Sequence, residues 1–313
     1  MRIWNGLGAY PDDAPEVVAS IGNYDGVHIG HQAILRRAVE DARRRRLASL
    51  LVTFDPHPVT VLAPERKPRL LQTRGQKLES LQQAGLHDVL ILEFDRDLAE
   101  LSGEQFFDQL LNGRVDFAAI HVGENFRFGH RREGDLELLQ RIGARRNFEV
   151  RGVRTLEIEG RTVSSSNIRA RLDAGEVEWV RRMLGRPFCV VGEVVRGDGR
   201  GRELQSPTAN LELQNEMLPS RGVYITETVV LASRMPSVTN VGVRPTFGGE
   251  TLTVETHVLD LDEDLYDERL EVHFLARLRD EMRFGSASEL ADQLARDRAA
   301  AEAYFHNQRF GTP

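Results

Sequence analysis

Hydrophobic and polar positions follow two different patterns along the 313-residue chain. In the first half, apolar runs of strand length are separated by longer segments with helical spacing, as at Ile34, Leu35, Ala38 and Ala42. The predicted strands of this half are Glu16–Ile21, Ser49–Phe54, Asp88–Phe94, Asp116–Val122 and Glu149–Val153. This alternation predicts an α/β fold with a doubly wound parallel sheet, in which ligands bind at the carboxyl ends of the strands.

The pattern changes after a short helical stretch near Val177–Leu184 and a turn ending at Pro187. Short β-rich runs then follow one another, separated by Gly, Pro and acidic residues: Phe188–Val195, Val223–Leu231, Ser237–Val241, Thr251–Leu259 and Leu270–Leu275. They predict an antiparallel barrel or sandwich, followed by a final helix from about Ala287 to Tyr304. We therefore predict two domains, residues 1–183 and residues 187–313.

Composition excludes several classes of protein. Hydrophobic residues make up 41% and charged residues 28% of the chain, which is typical of a folded globular protein. The single cysteine, Cys189, cannot form an internal disulfide, and no apolar run approaches the roughly 18 residues of a membrane helix. With no segment resembling a signal peptide, we expect a cytoplasmic protein. The net charge of −7 argues against a nucleic-acid partner.

Lysine is nearly absent. Of 41 Lys and Arg residues, only Lys67 and Lys77 are lysines. Neither stands in the G-x-x-x-x-G-K-[ST] pattern, so P-loop chemistry is excluded. Phosphate groups would have to be bound by Arg, His, backbone amides or a metal ion.

The strongest motif is GNYDGVHIGH, residues 22–31, directly after the first strand and at the start of the first long helix. His28 and His31 are three residues apart on one helical face, beside backbone amides that suit phosphate oxygens. Gly30 leaves room for a nucleotide against the backbone. Such a pair is also found by chance and in zinc sites, but no third ligand stands at zinc spacing. The motif resembles the H-x-G-H signature of nucleotidylyltransferases and class I aminoacyl-tRNA synthetases.

A second motif, VSSSNIR at residues 163–169, follows the last strand of the first half and begins a helix. It offers hydroxyls, backbone amides and Arg169 to phosphates, although serines at such a position are also common as helix caps. The Lys-rich loop that class I synthetases use is absent. The combination therefore favours a nucleotidylyltransferase.

Taken together, the motifs resemble those of the bifunctional bacterial riboflavin kinase/FAD synthetase family. In the first half they are residues 22–31, TFDPHP at 53–58, VGENFRFG at 122–129 with Gly134 and Asp135, and residues 164–169. In the second half they are VRGDGRGR at 195–202, PTAN at 207–210, Pro219 with RGVY at 221–224, NVGVRPT at 240–246, VETH at 254–257, and VHF, LRDE and RF at 272–284. The ordered matches span nearly the whole chain.

For the first half, the resemblance implies a Rossmann-like nucleotidylyltransferase domain that transfers AMP from ATP to FMN. His28 and His31 would stabilise charge on the transferred phosphate, and Ser164, Ser165 and Arg169 would hold the departing pyrophosphate. The other expected contacts are Asn23 and Asp25 to ATP or a metal ion, Gly30 to ATP, and His57, Asn125 and Arg127 to the flavin. Phe126 and Phe128, in the same motif, are either further flavin contacts or ordinary core residues, and we expect core.

For the second half, the resemblance implies an antiparallel β-barrel riboflavin kinase domain with a terminal helix. Gly197 and Gly199 would cradle phosphates, Thr208 and Asn210 would bind Mg²⁺ and phosphate, and Glu255 would take the proton of the riboflavin hydroxyl. The expected cofactor is Mg²⁺ with ATP, and no covalently bound cofactor. The expected partners are riboflavin, FMN and ATP, without a membrane, and an oligomer is compatible with the sequence.

One departure from the family pattern bears on the kinase. Gln205-Ser206 stands where a Gly-aromatic pair normally precedes the Pro-Thr-Ala-Asn motif. This leaves an alternative hypothesis, in which the barrel binds flavin without phosphorylating it. A further alternative is a nucleotidylyltransferase for another phosphorylated substrate.

Overall fold

The computed structural model describes residues 1–112, 115–196, 208–246, 249–261 and 263–310. The chain divides into two compact units, of which the first contains Met1–Leu70 and Arg74–Ser165 and the second contains Leu71–Thr73 and Ser166–Pro313. This division falls earlier than the predicted domain boundary at residues 183–187, which stays a prediction.

A six-stranded parallel sheet forms the centre of the first unit, in the order β1-β4-β3-β2-β5-β6. Its strands are β1 (Arg2–Asn5), β2 (Val17–Ile21), β3 (Ala48–Asp55), β4 (Asp88–Glu93), β5 (Phe117–Gly123) and β6 (Glu149–Val153). The predicted parallel sheet is confirmed, and β1 is an addition at its edge. The chain moves outward from β2 in both directions, so the strand order reverses beside β2, where such sheets bind ligands.

Helices of the first unit alternate with these strands. They are α1 (Ile29–Arg45), α2 (Pro58–Leu62), α3 (Arg74–Gln83), α4 (Arg96–Glu100), α5 (Gly103–Asn112) and α6 (Leu136–Arg146), with short 3-10 helices at Leu7–Ala9, Pro64–Arg66 and His130–Arg132. Helix α1 ends in Arg43, Arg44 and Arg45, whose charges suit the end of a helix, and Arg46 adopts a left-handed conformation there. A small antiparallel hairpin, β7 (Glu157–Ile158) and β8 (Arg161–Thr162), follows β6.

Along the chain, two helices come after the hairpin and before the first barrel strand: α7 (Ser165–Asp173) and α8 (Val177–Leu184). Ser165, the first residue of α7, belongs to the first unit. The barrel strands are β9 (Phe188–Val195), β10 (Ala209–Leu213), β11 (Gly222–Val230), β12 (Ser233–Thr246), β13 (Gly249–Val258) and β14 (Arg269–Arg279). They close in the order β10-β13-β12-β11-β14-β9 with antiparallel pairing throughout. The predicted antiparallel barrel is therefore confirmed, with β10 added.

Part of the barrel interior is polar. Five hydroxyl side chains without solvent exposure are joined by hydrogen bonds of 2.7 to 3.2 Å: Thr226, Thr228, Ser237, Thr239 and Thr256. They come from β11, β12 and β13. Because each hydroxyl both donates and accepts, the cluster satisfies its own polar groups inside the barrel.

The terminal helix α9 (Ala287–Phe310) packs on the barrel. Asp297, which is 3% exposed, accepts hydrogen bonds from Nε and Nη2 of Arg279 on β14 at 2.7 to 3.1 Å. Such a buried, bidentate ion pair fixes the helix in one position. Across the described ranges, no helix is long and apolar enough to cross a bilayer.

Candidate active sites

The loop that follows β2 holds the histidine motif in a strained conformation. Val27 has φ +38°, which is rare for a β-branched residue, and Gly26 has φ +84°. The Val27 side chain is buried, and its carbonyl accepts a hydrogen bond from Nε2 of Gln32 at 2.8 Å. These contacts hold the loop in the turn that starts α1 at Ile29.

His28 and His31 form a stacked pair at the N-terminus of α1. Their ring centroids are 3.6 Å apart and their planes differ by 16°. Nδ1 of His28 accepts a hydrogen bond from the backbone N–H of His31 at 3.3 Å, so His28 caps the helix. A nitrogen that accepts carries no proton, and the remaining proton of a neutral His28 therefore lies on Nε2.

The ring of His31 is packed from both sides. Tyr24 lies on it with a centroid distance of 4.6 Å, and the Tyr24 hydroxyl donates to Oγ of Ser20 at 2.5 Å, which in turn donates to the His121 carbonyl. Burial, followed by the charges of His28 and Lys77, holds the pKa of His31 well below its usual value. His31 is therefore neutral near pH 7, and it can interact with phosphate only as a hydrogen-bonding imidazole.

Gly30 makes the stacking possible. A Cβ at this position would lie 3.1 Å from both Cε1 and Nδ1 of His28. The His28 ring thus occupies the space beside Gly30 that was predicted for a nucleotide. A nucleotide contact with the backbone of Gly30 stays a prediction.

We expect Gly30→Ala to reduce the adenylyl transfer that the motif resemblance implies for this loop by about 10-fold or more, because displacement of the His28 ring by a fraction of an ångström weakens a positioned donor. The measurement is the kcat/KM of adenylyl transfer. Gly8→Ala is the matched control, since a Cβ at Gly8 meets no atom within 4 Å. Equal activities of the two variants would contradict the role given to Gly30.

The serine motif approaches the same loop. Oγ of Ser165, the first residue of α7, donates to the Asp25 carbonyl at 2.9 Å, and the side chain of Asp25 is largely buried. The Val163 carbonyl lies 3.9 Å from the Cβ position of Gly30. Two motifs separated by about 140 residues therefore meet beside the histidine pair. Ser164 is half-buried, and Arg169 lies one turn along α7, in the second compact unit.

The predicted flavin contacts follow β3 and β5, the two strands that flank β2 in the sheet. His57 caps α2, because its Nδ1 accepts from the Val59 N–H, and its Nε2 lies 3.4 Å from Nδ2 of Asn23. Asn125 and Arg127 are exposed in the loop after β5, the strand that pairs with β2.

The two phenylalanines of that loop pack as core. Phe128 is 8% exposed, and Phe126 stacks on it with a centroid distance of 5.3 Å. This confirms their expected role in the core.

Strand register assembles the second site on the outer face of the barrel. Asn210 on β10 and Asn240 on β12 both lie directly opposite Glu255 on β13. Val254 and Thr256 point inward and are fully buried, so Glu255 and its two neighbours face outward on three adjacent strands. The predicted alternation of Thr253, Glu255 and His257 is confirmed, because all three are half-buried on this face.

A second carboxylate borders this face. Oε1 of Glu281 lies 2.6 Å and Nδ2 of Asn240 lies 3.0 Å from the Cβ position of Gly242, so glycine is needed between them. Thr208, two residues before Asn210, is half-buried. Asn210 lies opposite Glu255, and the side-chain oxygens of Thr208 and Asn210 are hard donors of the kind that fits Mg²⁺. Gly197, Gly199, Gln205 and Ser206 lie outside the described residues.

Sequence analysis missed two polar residues at these sites. Asn240 was quoted in a motif without a role, and only the register of β12 with β13 places it opposite Glu255. Lys77 was noted only as one of two lysines, yet its Nζ donates to Oγ1 of Thr53 at 2.9 Å, at the carboxyl end of β3. The sequence of this polar helix gives no sign that a lysine in its first turn contacts the carboxyl end of a strand.

One further cluster has metal-ligand chemistry within the described residues. Nε2 of His273 lies 3.8 Å from Sγ of Cys189 and 3.6 Å from Oε2 of Glu271. Burial, with the charges of Arg234 and Arg186, lowers the pKa of His273 to about 4. Because the same two guanidinium groups repel a cation, we assign no metal ion to this cluster.

The first unit has a doubly wound sheet with a stacked His-x-Gly-His pair at its switch point, the arrangement of a nucleotidylyltransferase. In the same chain, a barrel with a Glu-Asn face forms a second catalytic module. Residues 10–167 match the family described as FAD synthetase, and residues 184–305 match the family described as riboflavin kinase. The chain belongs to the bifunctional riboflavin kinase/FMN adenylyltransferase family.

Similar proteins cover the same length. The chain is 37% identical over 289 residues to the bifunctional riboflavin kinase/FMN adenylyltransferase of Escherichia coli K12, covering 92% of each chain. It is 38% identical over 304 residues to that of Pseudomonas fluorescens, covering 97% of each. The crystal structure of a macrolide-efflux protein from Streptococcus pneumoniae has the same fold, with a TM-score of 0.88, 28% identity, and coverage of 96% of this chain and 99% of that one.

Family membership confirms the two predicted activities, riboflavin kinase and FMN adenylyltransferase. It favours these over the hypotheses of a barrel that only binds flavin and of a different phosphorylated substrate. ATP-dependent transfer is common to both activities.

Proposed function

We propose that the two reactions take place at two separate sites, adenylyl transfer at the histidine loop of the sheet and phosphoryl transfer at the Glu255 face of the barrel. The observation that supports this most directly is the assembly of each set of polar residues from distant segments. Ser165 reaches the loop of His28 and His31, and β10, β13 and β12 bring Asn210, Glu255 and Asn240 together.

At the first site, an oxygen of the FMN phosphate attacks the α-phosphorus of ATP, and the bond from that phosphorus to the bridging oxygen breaks to release pyrophosphate. Negative charge builds on the α-phosphate oxygens as the new bond forms. The Nε2–H of His28 and the ring of His31 supply positioned hydrogen-bonding groups there, and their packing fixes them before the substrates bind. Ser164 and Ser165 would bind the pyrophosphate, and the contact expected of Arg169 stays a prediction.

At the second site, Glu255 accepts the proton of the riboflavin 5′-hydroxyl as the hydroxyl oxygen attacks the γ-phosphorus of ATP, and the bond from that phosphorus to the bridging oxygen breaks to release ADP. Thr208 and Asn210 would hold Mg²⁺, which neutralises phosphate charge when it is bound. Asn240 and Glu281 orient the groups around Glu255. Riboflavin, FMN and ATP are the proposed substrates, and we propose a cytoplasmic location for the reactions.

A chromatographic time course tests this function. Purified protein with MgATP receives riboflavin in one reaction and FMN in the other. We expect FMN to appear and then decline as FAD accumulates in the first reaction, and FAD to form directly in the second. FAD from FMN alone would mean that the barrel binds flavin without phosphorylating it. If FMN were not adenylylated, another phosphorylated substrate would have to be sought.

A further inference from the structure

Lys77 has an unusual environment for a lysine. It lies in the first turn of α3, partly buried, and its Nζ donates one hydrogen bond to Oγ1 of Thr53. Thr53 is 2% exposed and donates in turn to the Asn23 carbonyl at 3.3 Å. This chain of contacts fixes the lysine beside the loop that carries the histidine motif.

The charge of Lys77 has no partner in ion-pair contact among the described residues, and Thr53, which accepts from it, is neutral. An ammonium group has three N–H donors, so two remain available. Burying such a group without a carboxylate in ion-pair contact costs free energy, and an anionic ligand that contacts it lowers that cost.

Several charged groups define where that ligand binds. Burial lowers the pKa of Lys77 to about 8, although Asp25, after β2, and Asp55, at the end of β3, raise it; Arg74 lowers it further. The Lys77 charge also lowers the pKa of His31 on α1. The lysine therefore lies within electrostatic range of the histidine pair, at the same carboxyl edge of the sheet.

We propose that Lys77 binds a phosphate oxygen of the adenylyl-transfer substrates, as a cationic contact in addition to the histidine pair. The inference rests on the proposed function of that site. A phosphate supplies the missing counter-charge and accepts the two available N–H donors. The phosphate belongs either to the nucleotide or to FMN, and the two sources are separated by experiment.

The test compares three variants of the full-length protein. We expect Lys77→Met to lower kcat/KM for FAD formation by about 100-fold, the loss typical of one positioned phosphate or oxyanion donor, and Lys77→Arg to lower it by only about 10-fold. Lys67→Met, which changes the only other lysine, is the matched control and should match the unmodified protein. Riboflavin phosphorylation by the same samples should change less than about 2-fold and reports on intact folding.

The KM values separate the two sources. A rise in the KM for ATP with unchanged KM for FMN assigns Lys77 to the nucleotide, and the opposite pattern assigns it to the flavin phosphate. If the nucleotide is the partner, calorimetric titration with inorganic pyrophosphate should show weaker binding to Lys77→Met than to the unmodified protein.

The pH profile gives a measurement that a purely structural lysine would not affect. Since only the charged amine binds phosphate, kcat/KM for FAD formation should fall as the pH rises through about 8, the pKa of Lys77 in the free protein. In Lys77→Arg this alkaline decline should move to higher pH, because arginine stays protonated.

The inference is overturned if Lys77→Met keeps its FAD formation, or if the alkaline decline is the same in Lys77→Arg. Measuring His31→Ala under the same conditions distinguishes failure of the role of Lys77 from failure of the proposed adenylyl-transfer site. Loss of activity in His31→Ala with full activity in Lys77→Met would remove only the role of Lys77. Full activity in His31→Ala would instead reject the proposed adenylyl-transfer site.

Discussion

His31→Ala should lower the rate of FAD formation from FMN by more than about 100-fold and leave FMN formation from riboflavin unchanged. The substitution removes a buried, neutral imidazole that is held between Tyr24 and His28, together with one side of the stack that orients His28. The effect should therefore exceed that of losing one isolated donor. The measurement is the rate of FAD and FMN formation in separate assays of the same sample.

His87→Ala serves as the control, because that histidine lies at the start of β4 and bonds to Ser49 on the edge of the sheet opposite to the carboxyl ends of its strands. It should keep both activities. Loss of FMN formation in a folded His31→Ala protein would show that the two reactions share a site.

Glu255→Gln should have the reverse effect, with riboflavin phosphorylation reduced by about 10²–10⁴-fold and adenylylation of FMN retained. Glutamine has nearly the same size and occupies the same register position opposite Asn210 and Asn240, but it cannot accept a proton from the riboflavin hydroxyl. The measurement is FMN formation from riboflavin, with FAD formation from added FMN as the internal control.

Asn210→Ala provides a second route to the same conclusion, because it removes a proposed Mg²⁺ ligand without touching the base. Raising the Mg²⁺ concentration should partly restore riboflavin phosphorylation in Asn210→Ala, but it should not restore it in Glu255→Gln. If Glu255→Gln phosphorylated riboflavin at the normal rate, Glu255 would not be the base.

Local patterns predicted most of the architecture, since strands buried on both faces, such as β2 to β5, read as continuous apolar runs. Strand β1 was not predicted, because its four residues are mostly exposed and its pairing with β4 depends on distant contacts. Strand β10 was missed for a similar reason, since its place in the barrel depends on pairing with the distant strands β9 and β13.

The candidate sites were predictable where the residues are close in sequence, as for His28 and His31. The stacking of these two rings was not, because Gly30 was expected to make room for a ligand and instead makes room for a side chain. Lys77 and Asn240 could not be found from local sequence. Their positions depend on how α3 meets β3 and on the register of β12, and both are properties of the folded chain.

The hydroxyl cluster inside the barrel also determines which way the kinase residues face. A slip of one residue between β12 and β13 would turn Asn240 or Glu255 into the interior and separate Thr239 from Thr256, which are paired at 2.9 Å. Apolar side chains tolerate such a slip far better than hydroxyls that must find donors and acceptors. The hydroxyl cluster thus makes misaligned strand pairings less stable than the native one. A chain in which these threonines became valines would keep its core volume but lose this preference for the native register.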